Sequence, residues 1–454
     1  MNMKIFLILL VALIFKTTVF SNEVYIGSDL SESLASLYDY NPKIKYEREI
    51  LKSKDELLPR AFSNFRPEIS GYYQKGKIDT ISKGFNITSD GIRTETNKGV
   101  VISQSIFDGG SSFSEIQISK NEIFSQRFYL RNIEQEVFME GIKLYANFAT
   151  ESSNLILKNK NVEVLKRQLE LTKEQFEIGE VTMTDVSIAE ARLSLAESEN
   201  LESRNNLNSL KANFLSVFGK EPNKPKIEMP LKKRNWEIDK LKKSALKSNP
   251  KIRGIKYKIK SYEKQIQSLK RKQLPSVKLE AEAKVNEGYF RTDSKREVLS
   301  AFAIIDIPIY RSGLASSEIR GIRKQATAEI ELLKLESKIL ESNLITSKSS
   351  IDYSLSKINA FKKQIESNKI YLEGLKQELQ LGERTTLDVL NGEQELLESS
   401  LGLVMSYKDY FISYYELLFH LGKLNAKDLN LNVILFDDKK NYNSVKGKWL
   451  DIIE

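Results

Sequence analysis

A short sequence that occurs twice places the strongest constraint on the fold of this chain. Residues 179–186 and 382–389 both read Gly-Glu-x-Thr-x-x-Asp-Val, and the two copies lie 203 residues apart. The glycine suits the end of a helix, and Thr followed three residues later by Asp has the form of a capping box that opens the next helix. Each copy therefore predicts a tight turn between two helices, so the chain is predicted to be an internal duplication. The residues that define the two turns are Gly179, Thr182, Gly382 and Thr385.

Other marks recur at a similar offset and divide the chain. Asn41-Pro42 is repeated as Asn249-Pro250, 208 residues later. The predicted divisions of the 454 residues are a signal peptide (1–21), a first repeat (22–220), a linker (221–248), a second repeat (249–424) and a tail (425–454). Strands are expected at about 67–107 and 275–310, and long helical hairpins at about 111–219 and 313–422.

The N-terminus has the pattern of a secretory signal. Lys4 precedes an apolar run at residues 5–15, and a small residue, Ser21, ends the segment. No later stretch has the roughly 18 to 20 apolar residues of a spanning helix, so any membrane insertion of the mature chain is expected through β-strands. The chain has no Cys, which excludes disulfides, thiolate metal sites and a lipid-bearing N-terminal Cys.

Composition excludes several classes of function. The 70 Lys and Arg are mixed with 61 Asp and Glu, and this balance does not favour a nucleic-acid partner. With a single His, no Ser/His/Asp set, no phosphate-binding glycine loop and no His or Cys cluster, no catalytic, cofactor or metal site is predicted. The chain is therefore not expected to be an enzyme.

Alternating residues after Pro275 predict a strand with one apolar and one charged face. A strand at residues 276–286 should return through a turn at 288–293 and a second strand at 296–310. In the first half the expected strands are residues 68–75 and 99–107, with a polar loop near 77–96. About ten residues suffice for a tilted strand to cross a bilayer, although a soluble hairpin fits this pattern as well. The predicted lipid-facing residues are Val277, Leu279, Ala281, Ala283 and Val285.

About 65 residues of helix are expected between each strand pair and the following turn, a length of roughly 100 Å. Apolar residues recur every seven positions in both long segments, which indicates coiled-coil packing against the return helices. In the second half this series is Leu344, Ile351, Ile358, Ile365, Leu372 and Leu379. Residues 236–247 of the linker predict a short helix, and the tail is expected either to pack beside the linker or to be disordered.

This doubled pattern resembles the TolC family of outer-membrane efflux proteins. The most specific match is residues 381–390, Leu-Gly-Glu-Arg-Thr-Thr-Leu-Asp-Val-Leu, which is similar to the family's second-repeat turn. The resemblance implies a mainly α fold in which a homotrimer shares a 12-stranded membrane β-barrel in outer-membrane lipid, joined to an α-helical tunnel in the periplasm. It also implies that a periplasmic adaptor and an inner-membrane pump are partners. Four strands alone have open edges that lipid cannot satisfy, which independently requires several chains to share one barrel.

The same resemblance implies a gate at the helical turns. Carried over by position, Arg384 would reach Thr184 and Asp185, and Asp388 with Asp185 would make the entrance electronegative. Helix capping alone is an alternative role for the two aspartates. The chain departs from the family pattern at Leu379, where a Tyr is expected, and at Asn391, where an acidic residue is expected. These two departures leave the tightness of the closed state open.

A second class of function remains open at this point. A soluble periplasmic coiled-coil adaptor or scaffold would also contain helical hairpins, although adaptors have one hairpin in a nested order and this chain has two in tandem. The predicted function is an outer-membrane exit duct for efflux or type I secretion. The sequence does not distinguish drug efflux from protein secretion.

Overall fold

The computed structural model describes residues 27–84, 87–223, 225–227, 236–289 and 291–449. The predicted signal peptide at residues 1–21 lies outside them. No helix in these ranges is both long enough and apolar enough to cross a membrane. The elements in chain order are α1 (Ser28–Tyr40), α2 (Pro42–Asp55), α3 (Leu57–Ser63), β1 (Glu68–Gly84), β2 (Ile87–Asp108), α4 (Ser111–Glu177), α5 (Met183–Phe218), α6 (Ile238–Ser248), α7 (Pro250–Arg271), β3 (Ser276–Glu287), β4 (Lys295–Asp306), α8 (Leu314–Gln380), α9 (Thr386–His420) and α10 (Lys440–Val445).

The four strands form one antiparallel sheet in the order β1–β2–β3–β4. Its register places Ile69, Ile102, Ala281 and Ala301 in one row across the sheet. Because facing residues in a ladder share a face, the apolar side of β3 continues onto its neighbours. Charged residues of β3 lie on the other face, where the hydroxyl of Tyr72 donates to Glu282 at 2.9 Å. β3 thus has the apolar and charged faces that the sequence predicts.

The first strand pair is longer than the sequence predicts, and the polar loop expected near residues 77–96 is wrong. Pairing between β1 and β2 runs without a break from Glu68 opposite Ser103 to Gly84 opposite Ile87. The segment is polar, but it is rich in Thr and Ile, which favour extended backbone. The polar composition of this segment therefore does not prevent strand pairing.

The fourth strand ends earlier than predicted. β4 stops at Asp306, whereas the sequence predicts a strand to residue 310. Pro308 has no backbone N–H and cannot donate to a ladder, so the pairing stops before it. The turn before β4 is as predicted: Gly288 has a φ of 72° and its N–H donates to the Ser294 carbonyl at 2.7 Å.

Two helices of equal length dominate the molecule. α4 and α8 contain 67 residues each, which corresponds to about 100 Å, and α5 and α9 return antiparallel to them. The heptad positions Leu344, Ile351 and Ile358 are buried between the long helix and its neighbours. Each half is therefore the predicted long helical hairpin that follows a strand pair.

The largest core lies where the short helices meet the long ones. Leu34 and Leu37 of α1 pack there with Phe138 of α4 and Phe218 of α5. Leu429 of the C-terminal tail is buried in the same cluster, against which the linker residues Ile227 and Trp236 also pack. Of the two outcomes expected for the tail, packing beside the linker is confirmed for residues 426–436, whereas Asn441 further along contacts Asp55 of α2.

Candidate functional site at the helix tips

Each long helix ends in a glycine turn of the same geometry. Gly179 and Gly382 have φ angles of 80° and 77°, in the left-handed region that L side chains rarely adopt. In the first turn the Glu180 N–H donates to the Gln175 carbonyl at 2.9 Å, and in the second the Glu383 N–H donates to the Glu378 carbonyl at the same distance. These bonds satisfy helix carbonyls that would otherwise lack a partner, so the chain reverses sharply at both tips.

The predicted capping boxes are present in both copies. The Thr182 N–H donates to Asp185 Oδ2 at 2.9 Å, and the Asp185 N–H donates to Thr182 Oγ1 at 3.4 Å. The second copy has 3.0 Å and 3.3 Å for the same bonds between Thr385 and Asp388. The two return helices therefore begin with nearly identical caps.

These hydrogen bonds also fix the charge of the two aspartates. The Thr182 hydroxyl, and then its backbone N–H, hold the pKa of the Asp185 carboxyl below its usual value. The backbone N–H of Thr385 is the main cause of the same downward shift in the pKa of Asp388, followed by its hydroxyl. Both carboxylates are consequently ionised at neutral pH, and the tip carries fixed negative charge.

Arg384 is the charged residue that distinguishes the second tip from the first. Its Nε lies 2.8 Å from Glu378 Oε2, in the last turn of α8. The chain does not bring Arg384 into contact with Thr184 or Asp185, so the predicted gate contact is absent within one subunit. The positions 203 residues earlier hold Val181 and Gln175, and the ion pair therefore has no counterpart in the first turn.

The two positions that depart from the expected pattern also have defined partners. Leu379 packs against the cluster of Leu372, Leu375 and Val389, which joins α8 to α9. Asn391 accepts a hydrogen bond from Arg192 of α5 at 3.2 Å. This bond links the return helix of one hairpin to that of the other, close to both tips.

An apolar contact reinforces the link between the two hairpins. Leu390 of α9 is buried in a cluster of α4 and α5 residues that includes Leu165, Leu169 and Val186. Beside it lies a groove of about 560 Å³ between α4 and the second hairpin, lined in part by Leu171 and Lys376. Leu390 and Asn391 together hold the tips of one chain side by side.

Comparison with known proteins decides the family. The family model described as outer membrane efflux protein matches residues 63–219 and 241–423, well over half of the chain. The chain belongs to the outer membrane efflux protein family. It is 26% identical over 443 residues to the outer membrane efflux protein BepC of Brucella suis, covering 97% of this chain and 95% of BepC.

Two further comparisons agree with this, one in sequence and one in fold. The outer membrane protein TolC of Escherichia coli is 23% identical over 422 residues, which cover 88% of this chain and 84% of TolC. The crystal structure of the outer membrane protein VceC from Vibrio cholerae matches with a TM-score of 0.75 and 17% identity, covering 87% of this chain and 96% of VceC. The predicted fold class, a mainly α chain with a membrane β-barrel continued by an α-helical tunnel, is confirmed.

In this outer membrane efflux protein the two tips share their backbone and caps, and Arg384 in place of Val181 distinguishes the second tip from the first. Family membership also agrees with the predicted location in the outer membrane, and it does not support the soluble adaptor. Among the described residues no group of His, Cys, Asp or Glu could hold a metal ion.

Sequence reasoning missed two contacts of this outer membrane efflux protein. The Glu378–Arg384 pair had a signal, because both positions break the match between the two turns. The Arg192–Asn391 bond had none, since it joins helices that are far apart in the sequence. Only the packing of one hairpin on the other brings those two side chains together.

Proposed function

We propose that this chain is one subunit of a homotrimeric outer-membrane exit duct for efflux or type I secretion. Three copies would share a 12-stranded barrel in outer-membrane lipid and continue it as a helical tunnel across the periplasm. Energy would come from an inner-membrane pump, joined to the duct by a periplasmic adaptor. Transport of this kind makes and breaks no covalent bond, so no catalytic residue or cofactor is required.

The observation that carries this proposal is the open sheet. β1 and β4 each pair on one side only within the described residues, and one face of the sheet is apolar. Unpaired N–H and C=O groups are too costly in lipid, so the edges must be closed by strands of other copies. Four strands are fewer than closed membrane barrels use, and three copies supply twelve.

The gate is proposed at the helix tips. Arg384 would leave Glu378 and contact Thr184 and Asp185 of a neighbouring subunit, which would close the tunnel. Asp185 and Asp388, both held ionised by their caps, would make the entrance electronegative and favour cations there. Gly179, Thr182, Gly382 and Thr385 would set the turns that present these residues.

The test is isolation of the protein from outer membranes, followed by native mass measurement and recording in planar lipid bilayers. The expected result is a detergent-dependent trimer that forms channels of low conductance. A monomer that stays soluble without detergent, or a trimer that never conducts, would contradict the proposal. Crosslinking in cells should then recover an adaptor with the duct.

A further inference from the structure

The positive charge of the chain is concentrated in one segment. Residues 238–271, which form α6 and α7, contain twelve Lys and Arg and two acidic residues, a net charge of +10. The whole chain carries +9, so all other residues together carry −1. The matching segment of the first repeat at the offset of 208, residues 30–63, has six basic and six acidic residues. The duplication was therefore followed by a strong divergence in charge between equivalent helices.

The lysines of α7 are of two kinds. Those that face the rest of the chain are neutralised by carboxylates. Lys251 lies 2.8 Å from Glu336, and Lys258 lies 3.5 Å from Glu122. The others have no carboxylate within 4.0 Å among the described residues and are exposed or half-exposed. We call this set, together with three lysines of α6, the basic face: Lys242, Lys243, Lys247, Lys256, Lys260, Lys264 and Lys270. One acidic residue, Glu263, lies among them.

The basic face points away from the tunnel. α7 packs on α4 through Gly254 and Tyr257, whose ring stacks on Phe124 at 5.2 Å. It packs on α8 through Lys251 and the buried Ile252. At 3.6 residues per turn the two contact strips are about 130° apart. Lys256 and Lys260 lie opposite both strips, and Lys264 and Lys270 lie at the two margins of this outer side. In a closed ring each helix has its neighbours on the half that faces the axis, so the opposite half faces outward.

The length of the basic face distinguishes two possible sources of a negatively charged partner, namely anionic lipid at the membrane and a polymer deeper in the periplasm. Lys270 lies six residues before the start of β3, but Lys256 lies fourteen residues further from the sheet, or about 21 Å along the helix. A headgroup layer is only about 5 to 8 Å deep, and charge is screened over about 8 Å in physiological salt. Anionic lipid could therefore reach Lys270, whereas most of the face lies deeper in the periplasm.

We propose that the basic face binds an extended, carboxylate-bearing polymer of the cell wall, namely the peptide stems of peptidoglycan. Such a polymer repeats its carboxylates along a mesh and can occupy seven lysines spread over two helices. Three copies would surround the tunnel with this face and fix the duct at one height in the wall. The inference rests on the proposed function, because it requires α7 to lie in the periplasmic wall of a closed tunnel.

Binding to purified peptidoglycan sacculi tests this inference. The trimer in detergent is mixed with sacculi, and the bound fraction is measured by sedimentation at about 50 mM and 500 mM salt. In the test variant Lys247, Lys256, Lys260 and Lys264 are replaced by Gln. In the matched control Lys43, Lys45, Lys52 and Lys54 of α2 are replaced by Gln, so both variants lose four positive charges per chain.

The parent and the control should bind alike at low salt, and the test variant at least about tenfold more weakly. High salt should release the parent protein. An equal loss in both variants, or no loss in either, would overturn the inference. All three proteins should form trimers and conduct equally. A parent that binds sacculi but does not conduct would count against the proposed function alone.

A crosslinking experiment identifies the partner in cells. Because the chain has no Cys, Lys260→Cys can carry a single thiol-linked photo-crosslinker. The expected product is a high-mass smear that collapses on muramidase digestion. A discrete protein adduct, as an adaptor would give, or a lipid adduct would overturn the assignment to the cell wall.

Discussion

The pair formed by Glu378 and Arg384 breaks the symmetry between two turns that are otherwise alike in backbone and caps. Arg384 is half-exposed, and its ion-pair partner Glu378 lies in its own chain. Because a solvent-exposed ion pair is weak, Arg384 can exchange Glu378 for another partner at low cost in free energy. We therefore expect Arg384→Ser to leave the trimer intact and to raise single-channel conductance. Asp185→Asn should have the same effect, and the double variant should add little because both changes remove one contact.

Two further variants control this prediction. Val181→Ser lies at the equivalent position of the first turn and should leave conductance unchanged. Glu378→Gln removes the competing partner of Arg384 and should lower conductance, since the guanidinium is then free for the neighbouring subunit. Full additivity of Arg384→Ser and Asp185→Asn would show that the two residues do not share a closed-state contact.

The caps predict a separate effect at the same tips. Thr385→Ala removes the hydroxyl that accepts from the Asp388 N–H, and loss of such a cap costs about 1 kcal/mol. Hydrogen exchange of the first-turn amides of α9 should therefore become faster, and Thr182→Ala should do the same for α5. Protection that stays unchanged in both variants would mean that the caps do not stabilise the tips.

The caps also have a pH dependence with a fixed sign. The pKa values of Asp185 and Asp388 are lowered in the folded chain. A lowered pKa stabilises the fold above the unfolded value, near 4, and this contribution is lost as pH falls through the folded value. The protection of the tip amides against hydrogen exchange should thus be constant near neutral pH. Below about pH 4 the protection should fall, because the tips then open more often.

Among the elements, β3 offers the sharpest test of the sheet. Ala281 lies in the apolar row with Ile102 and Ala301, and Glu280 lies on the opposite face opposite Ser103. Arg at position 281 should cost about 2 to 4 kcal/mol of barrel stability, whereas Glu280→Arg should be tolerated in water. Unfolding titrations in lipid measure the free energy of unfolding of the two variants. Equal costs would mean that the facing of the strand is wrong.

The helices, turns and strands also differ in whether they depend on sequence neighbours or on distant parts of the chain. The glycine turns, the caps and the heptad helices follow from residues that are neighbours in the sequence, and all of them could be predicted. Strand ends depended on pairing: the polar end of β1 is extended because β2 lies beside it, and β4 ends where Pro308 interrupts its ladder. The bond between Arg192 and Asn391 requires two hairpins to pack, and no local pattern contains that information.

For the whole molecule, we expect export, cleavage after Ser21 and assembly as a trimer. The motive is the signal-like N-terminus combined with a sheet that one chain cannot close. Intact mass of the purified protein should correspond to a chain that begins at Asn22. A different start would contradict the cleavage site, and sedimentation in detergent tests the trimer independently of it.

The two strand pairs differ in length, and this difference affects which part of the protein is accessible from outside the cell. Pairing of β2 with β3 stops at Thr96, yet β1 and β2 continue together for nine more residue pairs, from Gly76 opposite Glu95 to Gly84 opposite Ile87. At about 3.3 Å per residue this ribbon is roughly 30 Å long. In a barrel with its periplasmic tunnel on the opposite side, this hairpin would rise above the membrane surface, well beyond the short turn between β3 and β4. An antibody or protease added to intact cells would then meet three identical ribbons and little else of the duct.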